Sequence, residues 1–153
     1  MQIDHINMSA PNLLHVCVDQ KTEGRICGRL YHCYRKEPIL FGDVVELIRE
    51  AEALFDALNY PQASTMSRRF GEGKGTGTKG KPEKVLTQQE ILRNKGEKGT
   101  FIIHVRFRQS ATWQGEICKV ETGETSRFSN TLDCIKVLDG VDDAGIAGSI
   151  LQA

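Results

Sequence analysis

The fold is decided by the stretch His15-Val16-Cys17-Val18-Asp19-Gln20, because its pattern returns later in the chain as His104-Val105-Arg106-Phe107-Arg108-Gln109. A second and longer block, residues 28–48, aligns without a gap with residues 115–135. The two blocks recur at distances of 89 and 87 residues, which indicates a connection two residues shorter in the second unit. Internal repeats determine architecture, so the sequence predicts one β-β-β-α unit that is used twice.

The first unit shows the strand and helix patterns most clearly. Apolar residues at positions 14, 16 and 18 alternate with more polar ones, which is the period of a half-buried strand. Residues 25–34 and 39–41 are predicted to form the second and third strands. A helix is predicted to begin after Asp43, whose carboxylate is a suitable N-cap, and to end at Tyr60-Pro61. Its apolar stripe consists of Val44, Leu47, Ile48, Ala51, Leu54, Phe55 and Leu58.

The second unit repeats this order. Strands are predicted over residues 100–108, 111–121 and 124–128, followed by a helix that Ser129 or Asn130 caps. Together the two units predict an α+β fold, in which a mainly antiparallel sheet of about six strands carries two helices on one face. Trp113 is expected in the core, and a role as an interface anchor is the alternative.

The chain divides into three segments. Residues 1–70 form the first unit, residues 71–99 a flexible linker rich in glycine and lysine, and residues 100–153 the second unit with a loose tail. The linker has too few apolar residues to recover its ordering entropy, although Thr87 and Glu90 fit the capping box of a short helix. Each half is too small to bury a stable core alone, so we expect the two halves to share one core.

Composition limits the classes of function. The chain has 20 basic and 20 acidic residues, so the whole molecule has no general attraction for polyanions. Residues 68–98 are an exception, with nine basic and four acidic side chains. No signal peptide and no apolar run of membrane-spanning length is recognisable, and the five cysteines form no CxxC pair. These features predict a cytoplasmic protein with reduced thiols and no membrane partner.

Sequence patterns associated with catalysis or cofactors fail on closer inspection. Residues 75–81 match both GxGxxG and GxxxxGK, but no buried strand precedes them, and Pro82 replaces the hydroxyl residue that would hold magnesium. His32 and Cys33 are adjacent in a predicted strand, so they point to opposite faces and do not form a nucleophilic pair. The histidines show no metal-ligand spacing. We therefore expect no catalytic residues, no cofactor and no metal site, in a protein that is not an enzyme.

The polar face of the sheet is the candidate functional surface. If the helices cover the face of Val16 and Val105, alternation places arginines, an aromatic ring and small polar groups on the other face, together with Glu116 and the cysteines at 17, 33 and 118. Histidines in the first strand of each unit form a candidate pair for binding an anion or for titrating near neutral pH. The predicted binding residues are Arg29, Tyr31, Arg106, Arg108, Gln114, His15 and His104.

A short signature in the second unit resembles a known family. The run Phe107-Arg108-Gln109-Ser110-Ala111-Thr112-Trp113-Gln114-Gly115-Glu116-Ile117, followed by Phe128 and an apolar helix, is similar to a signature of small uncharacterised proteins from clostridial-type gut bacteria. The segment Tyr60-Pro61-Gln62-Ala63-Ser64-Thr65, with Arg68 and Phe70, resembles a second part of those proteins. The resemblance covers about half of the chain. It implies a bacterial cytoplasmic protein and no assigned activity.

Three functions of different classes remain. The first is a non-catalytic binding or regulatory protein whose polar face engages a macromolecule, expected to be another protein, with a second copy of the chain as the alternative. The second is a single-stranded nucleic-acid-binding protein that uses Tyr31, Arg106, Arg108 and the basic linker. By analogy of fold only, two such units are similar to the duplicated scaffold of Whirly-type proteins. The third is a small enzyme that uses Cys33 or Cys118.

Overall fold

A computed structural model describes residues 6–22, 25–61 and 82–140 of the chain. These residues contain six strands, namely β1 (Leu14–Thr22), β2 (Arg25–Tyr31), β3 (Ile39–Phe41), β4 (Gly99–Phe107), β5 (Gln114–Lys119) and β6 (Glu124–Phe128). All neighbours pair antiparallel in the order β3-β2-β1-β4-β5-β6, so the first strand of each unit lies at the centre of the sheet. The predicted α+β class with a six-stranded antiparallel sheet is confirmed.

Three helices accompany the sheet in the described part of the chain. They are α1 (Val44–Leu58), α2 (Gln88–Leu92) and α3 (residues 131–140). Asp43 caps α1 through its carboxylate, and Asn130 caps α3 by accepting from a main-chain N–H. The short α2 has the complete capping box of Thr87 and Glu90. All three helix starts are therefore where side-chain capping chemistry predicts them.

One cluster of buried side chains joins the two halves of the chain. It combines alternate residues of β1 and β4, such as Val16 and Val105, with Phe55 of α1 and Leu138 of α3. Trp113 belongs to this cluster, is 2% exposed, and packs edge-on against Phe55 at a centroid distance of 5.6 Å. The predicted core position of Trp113 is confirmed. Because residues of both halves form this one cluster, neither half holds it alone.

Equivalent positions in the two units are separated by 87 residues throughout the sequence. A β-bulge follows Val18 in β1, and a matching bulge follows Val105 in β4. Val18 pairs with Gly28, and Val105 pairs with Gly115. A Cβ atom on Gly28 or Gly115 would lie 1.9 or 2.0 Å from a carbonyl oxygen of the adjacent strand. The predicted distance of 89 residues for the first block is therefore wrong, while an origin by duplication stays a prediction.

With a repeat distance of 87 residues, His15 and His104 are no longer equivalent positions of the two units. Cys17, which lies 87 residues before His104, is its counterpart in the first unit. His15 instead pairs with Ile102 across the centre of the sheet. The expectation that His15 and His104 occupy equivalent positions is therefore wrong, because it depended on the longer offset.

The face of the sheet opposite α1 is covered by other parts of the chain, whereas alternation predicts an open polar face there. Residues 6–13 cover β4 and β5, where Ile6 packs in one cluster with Ile102. Residues 82–98 cover β1 and β2, and Ile91 of α2 is 2% exposed there. Residues 82–98 of the predicted linker thus pack against the sheet, and the burial of Ile91 offsets part of their ordering entropy, while the flexibility predicted for residues 71–99 stays a prediction. The glycine motif at 75–81 and the tail beyond residue 140 lie outside the described residues.

Candidate functional site

The bulge in β4 separates the two arginines that alternation places side by side. Arg106 is the extra residue of the bulge, so Arg108 points to the opposite face of the sheet. Arg108 is 5% exposed and donates to the carbonyl oxygen of Pro61 at 2.7 Å, to Glu52 at 2.6 Å and to Asp56 at 3.0 Å. Arg108 therefore fastens the end of α1 to β4, and its assignment to the binding surface is wrong.

Three further predicted binding residues lie beneath residues 91–97. His15 is 3% exposed, and its Nε2 lies 2.8 Å from the carbonyl oxygen of Asn94. Tyr31 is buried next to it, with the two rings edge-on at a centroid distance of 6.0 Å. Arg29 donates to the carbonyl oxygen of Lys95 at 2.8 Å. These side chains already have partners within the chain, so they do not form the open surface that the sequence predicts.

Gln114 supports a tight turn rather than a free surface. Its Oε1 accepts from the N–H of Gln109 at 3.1 Å. The turn contains Ser110 and Ala111, which have positive φ angles of 56° and 60°. Left-handed backbone is unfavourable for residues other than glycine, so the turn is strained and depends on contacts of this kind.

A pocket of about 290 Å³ lies where β4 ends, and it is the candidate site. His104 and Glu116 are direct partners across β4 and β5 and are only 6% and 3% exposed, so they form the floor. Tyr60 and Phe107 are 41% and 52% exposed and form an aromatic rim. The lining residues are Asn7, Tyr60, His104, Arg106, Phe107 and Glu116. Of the predicted binding residues, the structure brings His104 and Arg106 together in this pocket.

The floor of the pocket combines a carboxylate and a guanidinium with a neutral imidazole. Arg106 Nη1 donates to Glu116 Oε2 at 2.9 Å, while His104 Nδ1 lies 3.5 Å from Glu116 Oε1. Burial lowers the pKa of His104, the carboxylate of Glu116 acts in the opposite direction, and Arg106 adds to the lowering. His104 is therefore neutral near pH 7, and the charges of Glu116 and Arg106 balance.

Polar atoms on this floor have few hydrogen-bond partners among the described residues. Nε2 of His104 has none, and Nδ1 of His104 and Oε1 of Glu116 have only each other, at the long distance of 3.5 Å. Buried polar groups in native proteins are nearly always bonded, so a weakly bonded pair in the lining of a pocket is a candidate for binding a ligand. A carboxylate oxygen accepts hydrogen bonds, and a neutral imidazole offers one donor and one acceptor. The pocket is therefore equipped to bind a group that both donates and accepts.

The five cysteines, all of which lie in the described part of the chain, are free thiols. Burial raises the pKa of Cys33 and Cys118, and it raises the pKa of Cys17 to about 11 and that of Cys134 to about 12. The thiolate is the nucleophilic form of cysteine, and a raised pKa leaves little of it at neutral pH. Cys33 and Cys118 are therefore mainly in the thiol form at neutral pH, and the hypothesis of an enzyme that uses one of them stays a prediction.

No protein-family model, no curated protein and no solved structure matches the chain. Within residues 6–22, 25–61 and 82–140, no group of three or more His, Cys, Asp or Glu side chains is placed to hold a metal ion. None of the helices in those ranges is both long enough and apolar enough to cross a membrane. The function has to be inferred from the pocket itself.

Sequence reasoning misses the aromatic rim for an identifiable reason. Strict alternation assigns Phe107 to the same face as Val105, but the bulge turns Phe107 outwards. Tyr60 is visible in the sequence only as the end of a helix. One signal was available, since Gly115 interrupts a strand pattern and such a glycine is typical of a bulge or a close approach. It indicates that alternation fails beyond Val105.

The buried histidines predict a loss of stability in weak acid. Burial lowers the pKa of His15, His32 and His104, and that of His32 falls from 6.5 to about 4. Between these values the unfolded chain binds more protons than the folded one, so the free energy of unfolding decreases as the pH falls from about 6.5 to about 4. The shift at His32 alone corresponds to about 3 kcal/mol. Urea unfolding at a series of pH values measures this decrease.

The variant His32→Asn measures how much of the loss of stability in weak acid is due to His32. His32 Nδ1 accepts from the N–H of Tyr34 at 3.1 Å, and the oxygen of asparagine can accept in the same place without titrating. His32→Asn is therefore expected to give a shallower dependence of stability on pH than the wild type. Equal pH dependence of stability in His32→Asn and the wild type contradicts this assignment, and a wild-type free energy of unfolding that stays constant over this pH range contradicts the acid effect itself.

Proposed function

We propose that this chain is a non-catalytic binding protein that engages a protein partner through the pocket at the end of β4. The observation behind the proposal is the buried, weakly bonded pair of His104 and Glu116 in the lining of a pocket with a half-exposed aromatic rim. The proposed binding surface is therefore this pocket and not the whole polar face of the sheet.

The rim of the pocket has the composition of a protein-binding hot spot. Tyrosine and arginine are enriched at such positions, and exposed aromatic rings gain most from burial by a partner. Tyr60, Arg106 and Phe107 supply these groups around a floor that accepts a polar anchor. Because the floor has balanced charges and the whole chain is neutral, the pocket favours a protein over a polyanion.

The proposal includes a cytoplasmic and bacterial setting. Free thiols at all five cysteines are typical of a reducing compartment. The run Phe107–Ile117 resembles a signature of the clostridial-type family, and this resemblance implies a bacterial protein and no assigned activity. The proposed function therefore depends on the pocket and not on the family.

Single-stranded nucleic-acid binding is the second candidate, and one observation favours it. Tyr60 and Phe107 present exposed rings next to Arg106, which is the combination on which unpaired bases stack. Phosphate contacts dominate the affinity of such proteins and make it strongly dependent on salt. Binding that falls steeply as salt rises supports this candidate, whereas binding that is nearly independent of salt supports a protein partner.

Phe107→Ala is expected to weaken capture of the partner at least tenfold, because a central aromatic residue of a hot spot contributes about 2 kcal/mol or more. The measurement is a pull-down from the native cytoplasm, with recovery of both protein and nucleic acid, followed by titration of the recovered partner. The folded state should change little, since the ring of Phe107 is 52% exposed.

The matched control is Leu40→Ala. Leu40 is 72% exposed on β3, at the far edge of the sheet, so its truncation also removes exposed apolar surface. The control is expected to bind as the wild type does. Equal binding by Phe107→Ala and Leu40→Ala rules out the pocket as the recognition site.

A further inference from the structure

The ion pair in the pocket has a counterpart in the first unit. Asp19 and Arg106 are the extra residues of the two bulges, and Arg29 and Glu116 are their ion-pair partners on the next strand. Both members of the pocket pair lie 87 residues after their counterparts. The closest contacts are 2.8 Å in the first unit and 2.9 Å in the second, and the signs of the charges are exchanged.

In the first unit this ion pair binds a piece of main chain. Arg29 Nη2 donates to the carbonyl oxygen of Lys95 at 2.8 Å, and the N–H of Glu97 donates to Asp19 Oδ1 at 3.1 Å. Gly96 lies between them, where a Cβ atom would come within 2.6 Å of a main-chain nitrogen of β1. The pair thus accepts one N–H and donates to one C=O of a segment with glycine at its centre.

In the second unit the corresponding place is the pocket. Arg106 donates to Glu116 Oε2, while Glu116 Oε1 lies 3.5 Å from His104 Nδ1, and the Glu116 side chain is only 4% exposed. In contrast to its counterpart in the first unit, this ion pair forms no hydrogen bond with main chain among the described residues. A ligand that is neutral, donates to a carboxylate and accepts from a guanidinium completes this arrangement. A main-chain amide segment has these properties.

A second correspondence indicates that amide groups fit this region. The carbonyl oxygen of Val18 accepts from the N–H of Lys98 at 2.7 Å. Its counterpart, the carbonyl oxygen of Val105, accepts from the side-chain amide of Asn12 at 2.8 Å. An amide therefore occupies the corresponding position in both units, next to the covered ion pair in one and next to the pocket in the other.

We infer that the pocket binds a main-chain segment of the protein partner, with an N–H donating to the carboxylate of Glu116 and a C=O accepting from Arg106. The inference rests on the proposed function and specifies its ligand. In the first unit, residues 95–97 run from the arginine on β2 to the carboxylate on β1. In the second unit the arginine lies on β4 and the carboxylate on β5, so the bound segment runs in the opposite direction across the corresponding strands. A glycine at its centre allows the same close approach to the strand that Gly96 makes.

The test uses acetyl-Leu-Gly-Leu-amide as the probe with the full chain. Its leucine side chains can contact the aromatic rim while its main chain reaches the floor. Titration followed by NMR is expected to shift the resonances of His104, Arg106 and Phe107 in a saturable way. Methylating the nitrogen of the second leucine removes the N–H for Glu116, and the loss of this charge-assisted hydrogen bond should weaken binding at least tenfold. Replacing the central glycine with valine should have an effect of similar size.

These tests change the peptide and not the protein, so a loss of binding cannot result from unfolding of the protein. Equal binding of the parent and the N-methylated peptide, or shifts outside the pocket, overturns the main-chain assignment. Shifts caused by cytidine but not by the peptide also overturn it, in favour of a base. If the peptide fails while Phe107→Ala still loses the partner, only the main-chain assignment is lost. If Phe107→Ala keeps the partner, the proposed function is lost regardless of the peptide.

Discussion

Replacing Gly28 or Gly115 with alanine is expected to unfold the protein, or to lower its free energy of unfolding by about 3 kcal/mol or more. The added Cβ atom would lie 1.9 Å from the carbonyl oxygen of Cys17 in one case and 2.0 Å from that of His104 in the other. Neither contact can be relieved by rotating a side chain, because both partners are main-chain atoms of central strands. Urea unfolding followed by circular dichroism measures the loss.

Gly140→Ala is the matched control for this prediction. A Cβ atom at Gly140 meets no atom of the described residues within 4 Å, and residue 140 is helical. Alanine is the better helix former by about 1 kcal/mol, so this variant should be as stable as the wild type or more stable. Wild-type stability of Gly28→Ala or Gly115→Ala would show that the strands do not approach each other as closely as described.

Arg108→Ala is expected to lower the free energy of unfolding by about 2–4 kcal/mol, because it removes a buried cation with three acceptors. The Pro61 carbonyl loses its donor, and the guanidinium leaves the face of the Phe55 ring, where it lies 5.4 Å from the centroid. The partner carboxylates of Glu52 and Asp56 are 39% and 70% exposed and remain solvated, which keeps the cost below that of a fully buried pair.

Arg49→Ala controls for the removal of an arginine. Arg49 is exposed on α1, the helix that Arg108 fastens to β4, so its loss should change stability by less than about 0.5 kcal/mol. Equal unfolding midpoints for Arg108→Ala and Arg49→Ala would exclude a structural role for Arg108. They would return it to the candidate binding surface that alternation suggests.

Local patterns predicted most of the secondary structure. The apolar stripe of Val44–Leu58 and the capping groups of Asp43 and Thr87 are short-range features, so they could be recognised without knowledge of the tertiary structure. The β-β-β-α order followed from the repeat. The alignment of the two units did not follow, because repeat distances of 89 and 87 residues fit the strand pattern equally well. Only the positions of the bulges and the paired glycines show that the distance is 87.

The candidate site was predicted only in part. His104 and Arg106 were identified as polar groups on a strand, but Phe107 and Arg108 were exchanged because a bulge adds one residue and inverts every position beyond it. The covering of β1 and β2 by residues 82–98 was missed as well. It depends on the single buried side chain of Ile91 in a segment whose composition otherwise indicates a flexible linker.

The pairing at the centre of the sheet has a consequence for the order in which the protein folds. β1 pairs with β4 from Leu14 opposite Ile103 to Val18 opposite Gly99, across about 80 intervening residues. During synthesis, β1 and β2 can form a hairpin early, but the other edge of β1 has no partner until β4 has left the ribosome. Such long-range pairing slows folding, and an unpaired apolar edge is a template for association with other chains. A strand at the centre of the finished sheet therefore has one edge open while the chain is half made.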